Sequence, residues 1–273
     1  MTQRNQDNME PFRADAPAGS AALPWQLGLA QDIGARREQQ DCIGTVTGSF
    51  RGRPALLAVL ADGMGGMQDG ARFSRIAVSC HQENFQRALD SAAQPAAALL
   101  SLALQANEQA HRIYDETRPG GTTLVTALFL EDCFYTLCIG DSRICLYRKT
   151  GRGYASLQIN REHVFGPLLD EQAWMGRISF ADAENNLLRS SLTSAVGDSR
   201  IRAIDLTEHA TRFLAGDRLA LMSDGVYRSL SEEKLCTDMA EEPHRAAEEI
   251  IRQVRGRKLP HQDNMSIIIV GRV

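Results

Sequence analysis

No Cys-x-x-Cys pair occurs among the six cysteines, so a zinc ribbon and a thioredoxin-like redox pair are excluded. There is no His-Glu-x-x-His to hold zinc. There is no Gly-x-x-x-x-Gly-Lys-Ser/Thr to cradle nucleotide phosphates, and the run from Gly63 to Gln68 lacks the third glycine of a dinucleotide fingerprint. Charge of one sign is also missing. Thirty basic residues against 34 acidic ones leave a net charge of −4, which argues against a dedicated nucleic-acid or polybasic membrane binder. The longest apolar run, PALLAVLA (54–61), is far short of the ~18 residues of a membrane span. The first residues hold no apolar stretch after a charged start, so they do not form a secretory signal. No period of roughly 20–50 residues is present, which excludes a solenoid. Ser231 and Lys234 match Ser-x-x-Lys, but no companion motif supports a β-lactamase-like enzyme. Ser229 and Glu232 there read better as the start of a helix.

What remains is ordinary globular composition, 43% hydrophobic and 23% charged. A chain near 300 residues buries about three quarters of its unfolded surface and needs no staple. Several cysteines lie inside apolar runs and read as reduced, buried thiols of a cytoplasmic protein. Residues 1–23 are polar and aperiodic and read as a disordered tail, followed by one domain over 24–273. Apolar spacing predicts helices over 71–89, 95–116, 231–241 and 244–255. Strands are predicted over 55–61, 122–130, 133–140, from Arg143 onward, over 218–223 and over 265–273, with weaker ones at 192–197 and 202–209. Glu131-Asp132 marks a tight hairpin. This order gives a layered α+β domain. The segment 163–190 has no long apolar stripe and reads as a surface flap.

Three apolar strands run into an aspartate: Asp62-Gly63, Asp141-Ser142 and Asp224-Gly225. Asp263 precedes the last strand, and Asp41 follows GARREQQ. Any one of these alone reads as a turn. If the strand ends converge, carboxylates within ~4–6 Å repel one another, and a divalent cation removes that penalty. Carboxylates with water suit magnesium or manganese rather than zinc.

The spacing resembles the metal-dependent serine/threonine protein phosphatases, the type 2C or PPM family, from about residue 25 to the end. Gly34–Asp41 resembles the first motif and Ala61-Asp62-Gly63-Met64-Gly65-Gly66 the second. Gly121-Thr122-Thr123 and Gly140-Asp141-Ser142-Arg143 are similar to the middle ones, and Ser223-Asp224-Gly225 and Asp263–Ser266 to the last two. The resemblance implies a central β-sandwich of two antiparallel sheets with helices on both outer faces, a four-layer αββα fold. It implies two Mn²⁺ or Mg²⁺ ions. Asp62 would bridge them, with the Gly63 carbonyl on one, and Asp224 and Asp263 would hold one of the pair. Asp41 would act through water. Asp141, with Asp224, matches a third metal position of bacterial members. Arg36 would hold the substrate phosphate, since a guanidinium fork suits a phosphate. The implied function is hydrolysis of phosphoserine and phosphothreonine in proteins, by a monomeric cytoplasmic enzyme reversing a serine/threonine kinase, with no nucleic acid and no membrane among its partners.

The sequence departs from the family pattern at three points. Gln40 replaces the acid usually found before Asp41, which weakens the expected hold on one metal and leaves open a phosphoprotein-binding regulator of low activity. A hydrolase of small phosphate esters is a further alternative. Met64 stands where many eukaryotic members carry a proton-donating histidine. Glu162-His163 replaces Asp-His just before the flap. His261, two residues before Asp263, reads as a surface or core histidine rather than a site residue.

Overall fold

A computed structural model describes residues 23–65, 70–115, 117 and 120–273. Nearly all of the stretch read as a disordered tail, and the second half of the Gly65-Gly66 motif, lie outside the described residues.

The strands are β1 Trp25–Asp32, β2 Asp41–Phe50, β3 Arg53–Gly65, β4 Gly120–Thr122, β5 Leu124–Leu130, β6 Cys133–Ile139, β7 Arg143–Thr150, β8 Gly153–Gln158, β9 Asp205–Leu206, β10 Thr211–Arg212, β11 Arg218–Met222 and β12 Met265–Arg272. The helices are α1 Gly70–Ser91, α2 Pro95–His111, α3 Gly166–Trp174, α4 Phe180–Glu184, α5 Asp224–Tyr227, α6 Glu232–Asp238 and α7 Pro243–Gly256. One sheet runs β1-β12-β11-β7-β8. The other runs β10-β6-β5-β3-β2, with β4 on β3 and β9 on β6. The pairings described are all antiparallel.

Strand β3 shows why the sandwich forms. Its side chains alternate between faces, and both faces are apolar. Ala55, Leu57, Val59 and Ala61 join the layer under α1 and α2. Leu56, Ala58 and Leu60 join the layer between the sheets. Strand β12 does the same in the other sheet. Ile268 and Val270 face the inter-sheet core, and Ile267 and Ile269 face the helices α5–α7. Three apolar layers therefore separate four layers of structure, as the resemblance implies. Each fully buried Leu or Ile contributes about 1.5–3 kcal/mol.

Several boundaries differ from the sequence reading. Strands β1 and β2 were not anticipated. Strand β2 carries Gly44 because α1 crosses it closely, and a Cβ there would lie 2.8 Å from Val78 Cγ1. Helix α2 stops at His111, not 116, although Ile113 still packs on the same layer. The predicted strand over 192–197 is reduced to two isolated bridges, Thr122 with Val196 and Val164 with Leu192. The one over 202–209 shrinks to β9. The Glu131-Asp132 hairpin is present, with Glu131 at φ 47° and Leu130 paired to Cys133. Ser231 caps α6 by accepting the Lys234 amide. The flap is not featureless. It holds α3 and α4 around Leu169, Ala173 and Ala183. No described helix is long and apolar enough to cross a membrane.

Candidate active site

The register of both sheets sends the acids to one end of the sandwich. In one sheet Arg143, Met222 and Ile267 stand in a row, so the Asp141 turn, Asp224 and the Asp263 loop adjoin. In the other, Asp41 at the start of β2 lies directly opposite Asp62 in β3. Like charges in that relation repel. Asp62, Asp141, Asp224, Asp263 and Arg36 line one cleft of about 280 Å³, joined by Gln40, Gly63, Met64, Thr123 and Leu192. Asp41 is buried beside it. The acids singled out in the sequence therefore gather at one place, four lining the cleft and Asp41 buried beside Asp62.

Backbone contacts fix this arrangement. The Gly63 amide donates to the Gln40 carbonyl at 3.1 Å. A Cβ on Gly63 would meet Gly70 O at 2.2 Å and Gln40 O at 2.6 Å, so only glycine fits. Asn264 ties the loop of the first motif to β12. Its Oδ1 accepts from the Gln40 amide at 2.9 Å, and its Nδ2 donates to the carbonyls of Ile33 and Glu38 at 2.9 and 3.0 Å. Thr123 clamps Asp62 from the far side. Its Oγ1 accepts from the Asp62 amide at 3.0 Å and sits 2.7 Å from Ser142 Oγ. The Ser223 hydroxyl donates to Asp41 Oδ2 at 2.8 Å.

The electrostatics mark a crowded anionic site. Burial pushes the Asp62 carboxyl well above the usual carboxylate range, and Asp41, Asp224, Asp141 and Asp263 push it further. Asp41 rises to about 6, through burial against the opposing pull of the Ser266 and Ser223 hydroxyls. Asp141 also rises to about 6, through burial and then the Asp224 charge. Asp224 is raised by burial, with Arg228 pulling the other way. Two arginines answer this charge. Arg36 Nη2 donates to Asp263 Oδ2 at 2.6 Å. Arg228 lies 3.2 Å from Asp141 Oδ2 and 3.3 Å from Asp224 Oδ2.

The donor set fits a hard divalent cation. It consists of carboxylate and carbonyl oxygens, and the buried Asp41 Oδ1 has no hydrogen-bond partner. Among the described residues, no three side chains already form a closed ligand cluster. The acids surround the cleft rather than touch.

Arg228, Thr123 and Ser142 were not singled out as site residues from the sequence, although Thr123 and Ser142 lie inside quoted motifs. Arg228 follows Asp224 at i+4, a spacing common to any helix surface. His163 fastens the root of the flap, its Nδ1 accepting from the Gly140 amide at 3.2 Å. Glu162 pairs with Arg143 at 2.5 Å. His261 is exposed and does not line the cleft. A second, wider cleft of about 970 Å³ opens beside the first, between Arg228 and the flap residues Arg189 and Pro167.

Among solved structures, the chain is similar to the Mycobacterium tuberculosis serine/threonine phosphatase PstP/Ppp, at 24% identity over 91% of this chain and 99% of that one, with a TM-score of 0.72. The catalytic domain of PstP in complex with two manganese ions aligns at 24% identity over 91% and 98% of the two chains, with a TM-score of 0.68. Stp1, a serine/threonine phosphatase from Staphylococcus aureus, aligns at 22% identity over 96% and 99%, with a TM-score of 0.68. These likenesses establish the fold. No curated protein sequence matches the chain. The sequence model for protein phosphatase 2C matches residues 34–259, from the Arg36 loop to the threshold of Asp263. With most of its length inside that match, the chain belongs to the protein phosphatase 2C family.

Proposed function

We propose that residues 24–273 form a metal-dependent phosphatase domain that hydrolyses phosphoserine and phosphothreonine in proteins. The observation that carries this reading is Asp62, a carboxylate raised by burial and by four neighbouring acids in a cleft that also presents an arginine. Asp62, the Gly63 carbonyl, Asp224 and Asp263 would hold two Mn²⁺ or Mg²⁺ ions, with Asp41 supporting them through water. When bound, the ions would supply a water acidic enough to attack phosphorus and positive charge against the phosphoryl oxygens. A third position at Asp141 and Asp224 is a separate matter, because Arg228 already lies across it.

The chain's own residues do the rest. Arg36 is half exposed and held by a single carboxylate, so its fork is free to turn to a phosphate dianion. Thr123 and Ser142 hold the Asp62 backbone in place. Met64 lines the cleft but has no proton to give a leaving alkoxide. The flap over 163–190 borders the wider cleft, where residues flanking the phosphate would lie. The setting we infer is the cytoplasm, a monomer opposing a serine/threonine kinase, and phosphoproteins as substrates.

The test is phosphate release from phosphoserine and phosphothreonine peptides by EDTA-treated protein, with and without added Mn²⁺. Full activity without metal would overturn the reading. Arg36→Ala is expected mainly to raise KM, with a smaller effect on kcat. Gln40 supports a second reading, a phosphoprotein-binding regulator of low activity. Metal-dependent turnover of the peptides excludes it.

A further inference from the structure

Arg228 and Arg36 both face the acids of the cleft, but they are held differently. Arg36 makes one contact, to Asp263, and the side chains are 53% and 40% exposed. Arg228 spans two carboxylates with two different nitrogens. Nη2 is 3.2 Å from Asp141 Oδ2 and Nη1 is 3.3 Å from Asp224 Oδ2. Those two acids are only 10% and 21% exposed, while Arg228 is 48% exposed. The guanidinium therefore covers the Asp141–Asp224 corner from the solvent side.

The surrounding structure keeps it there. The Arg228 amide donates to the Asp224 carbonyl at 3.0 Å, which sets the side chain one turn above that acid. The Tyr227 hydroxyl donates to the Asp141 carbonyl at 3.1 Å, which joins the same turn to the Asp141 loop. The Tyr227 ring lies 3.8 Å from the Arg143 guanidinium, and Arg143 is itself paired with Glu162. Two carboxylates facing one corner are a donor set that a further hard cation would take. A guanidinium meets the same need as a fixed charge, with a planar fork that can engage both acids.

We propose that Arg228 is a built-in cation for the Asp141–Asp224 corner, so that the chain holds two divalent ions and leaves no place for a third. This rests on the reading that Asp62, Asp224 and Asp263 hold the two-ion centre. Asp224 serves both, with Oδ2 toward Arg228 and the other oxygen left for the pair. Removing the Arg228 side chain leaves a notch open to solvent over two uncompensated acids, which a third ion can enter.

The experiment counts bound metal rather than turnover. Metal-free protein is titrated with Mn²⁺, and free ion is followed by its paramagnetic resonance signal. Two ions per chain are expected in the natural sequence and three in Arg228→Ala. Adding Asp141→Asn to Arg228→Ala is expected to return the count to two, which places the extra ion at this corner. Three ions bound by the natural sequence, or no gain in Arg228→Ala, overturns the proposal. Fewer than two ions in the natural sequence overturns the two-ion reading beneath it, a distinct result. Three ions on the unmodified chain overturn the proposal whatever the variants do, and matching circular dichroism of the natural chain and Arg228→Ala separates an unchanged count from a folding defect.

Discussion

At Asp62 the charge of four other aspartates bears on one half-buried carboxyl, and its position opposite Asp41 in the β-ladder makes part of that repulsion unavoidable. The metal-free protein therefore carries a destabilising term that neutral Asn would remove. Asp62→Asn is expected to abolish most turnover with Mn²⁺ and yet to raise the melting temperature in EDTA. For a domain of this size the rise is about 2–4 °C per kcal/mol recovered. A melting temperature that falls in EDTA would show that the Asp62 carboxyl contributes more to the metal-free fold than its repulsion costs. His81 makes a different prediction. It is fully buried in α1, its Nδ1 lies 2.7 Å from the Ala77 carbonyl, and its Nε2 has no partner. Burial pushes its pKa down to about 4. Between pH 6.5 and 4 the unfolded chain therefore binds a proton that the folded chain does not. Stability falls as pH drops through that window, by at most about 1.4 kcal/mol per pH unit, and levels off below it. His81→Leu removes this contribution. Urea unfolding at pH 7 and pH 5 should show a smaller loss in the variant than in the natural sequence.

Among the elements, those with the plainest apolar pattern were legible and those shaped by a neighbour were not. Strands β3, β5, β11 and β12 are buried on both faces and read as near-continuous apolar runs. Strand β1 alternates Trp25, Leu27 and Leu29 toward the inter-sheet core, but Gly28 and Ala30 on the other side blur the pattern. Strand β2 carries Gly44 and Gly48 because α1 lies so near, and isolated glycine is a poor sign of a strand. The site followed the same division. Asp62, Asp141 and Asp224 were visible because each follows an apolar run, and Asp263 because it precedes one, whereas Asp41 stood out only through its motif. Arg228 was not visible, because its partner Asp141 is 87 residues away in the sequence. The flap was visible as an interruption, but its internal core was not, since Leu169, Ala173 and Ala183 are too few to make a stripe. That small core leans on one ion pair, in which Arg189 donates to both oxygens of Asp170 at 2.8 and 2.9 Å. Arg189→Ala is expected to speed amide exchange in α3 and α4 while leaving β3 and β12 protected. Equal loosening of the sheets would mean that the flap and the sandwich open as one unit.

For the whole molecule the decisive pairing is the one between the ends of the described chain. Trp25 stands opposite Arg272, and the Val273 amide donates to the Pro24 carbonyl at 3.1 Å. Strand β12 is not an edge, because it lies between β1 and β11 and its residues fill two of the three core layers. Deleting residues 265–273 is therefore expected to abolish cooperative unfolding altogether, rather than to trim a few kcal/mol. A sharp denaturant transition in the shortened chain would contradict this. The same pairing also sets when the molecule can come into being. A growing chain makes β1 long before β12, and β1 has no other partner in its own sheet. The five-stranded sheet, and with it the loop that carries Asp263, can close only once β12 is made. The acid-lined cleft is thus incomplete in any chain that has not yet made β12, however early β3 and its Asp62 are made.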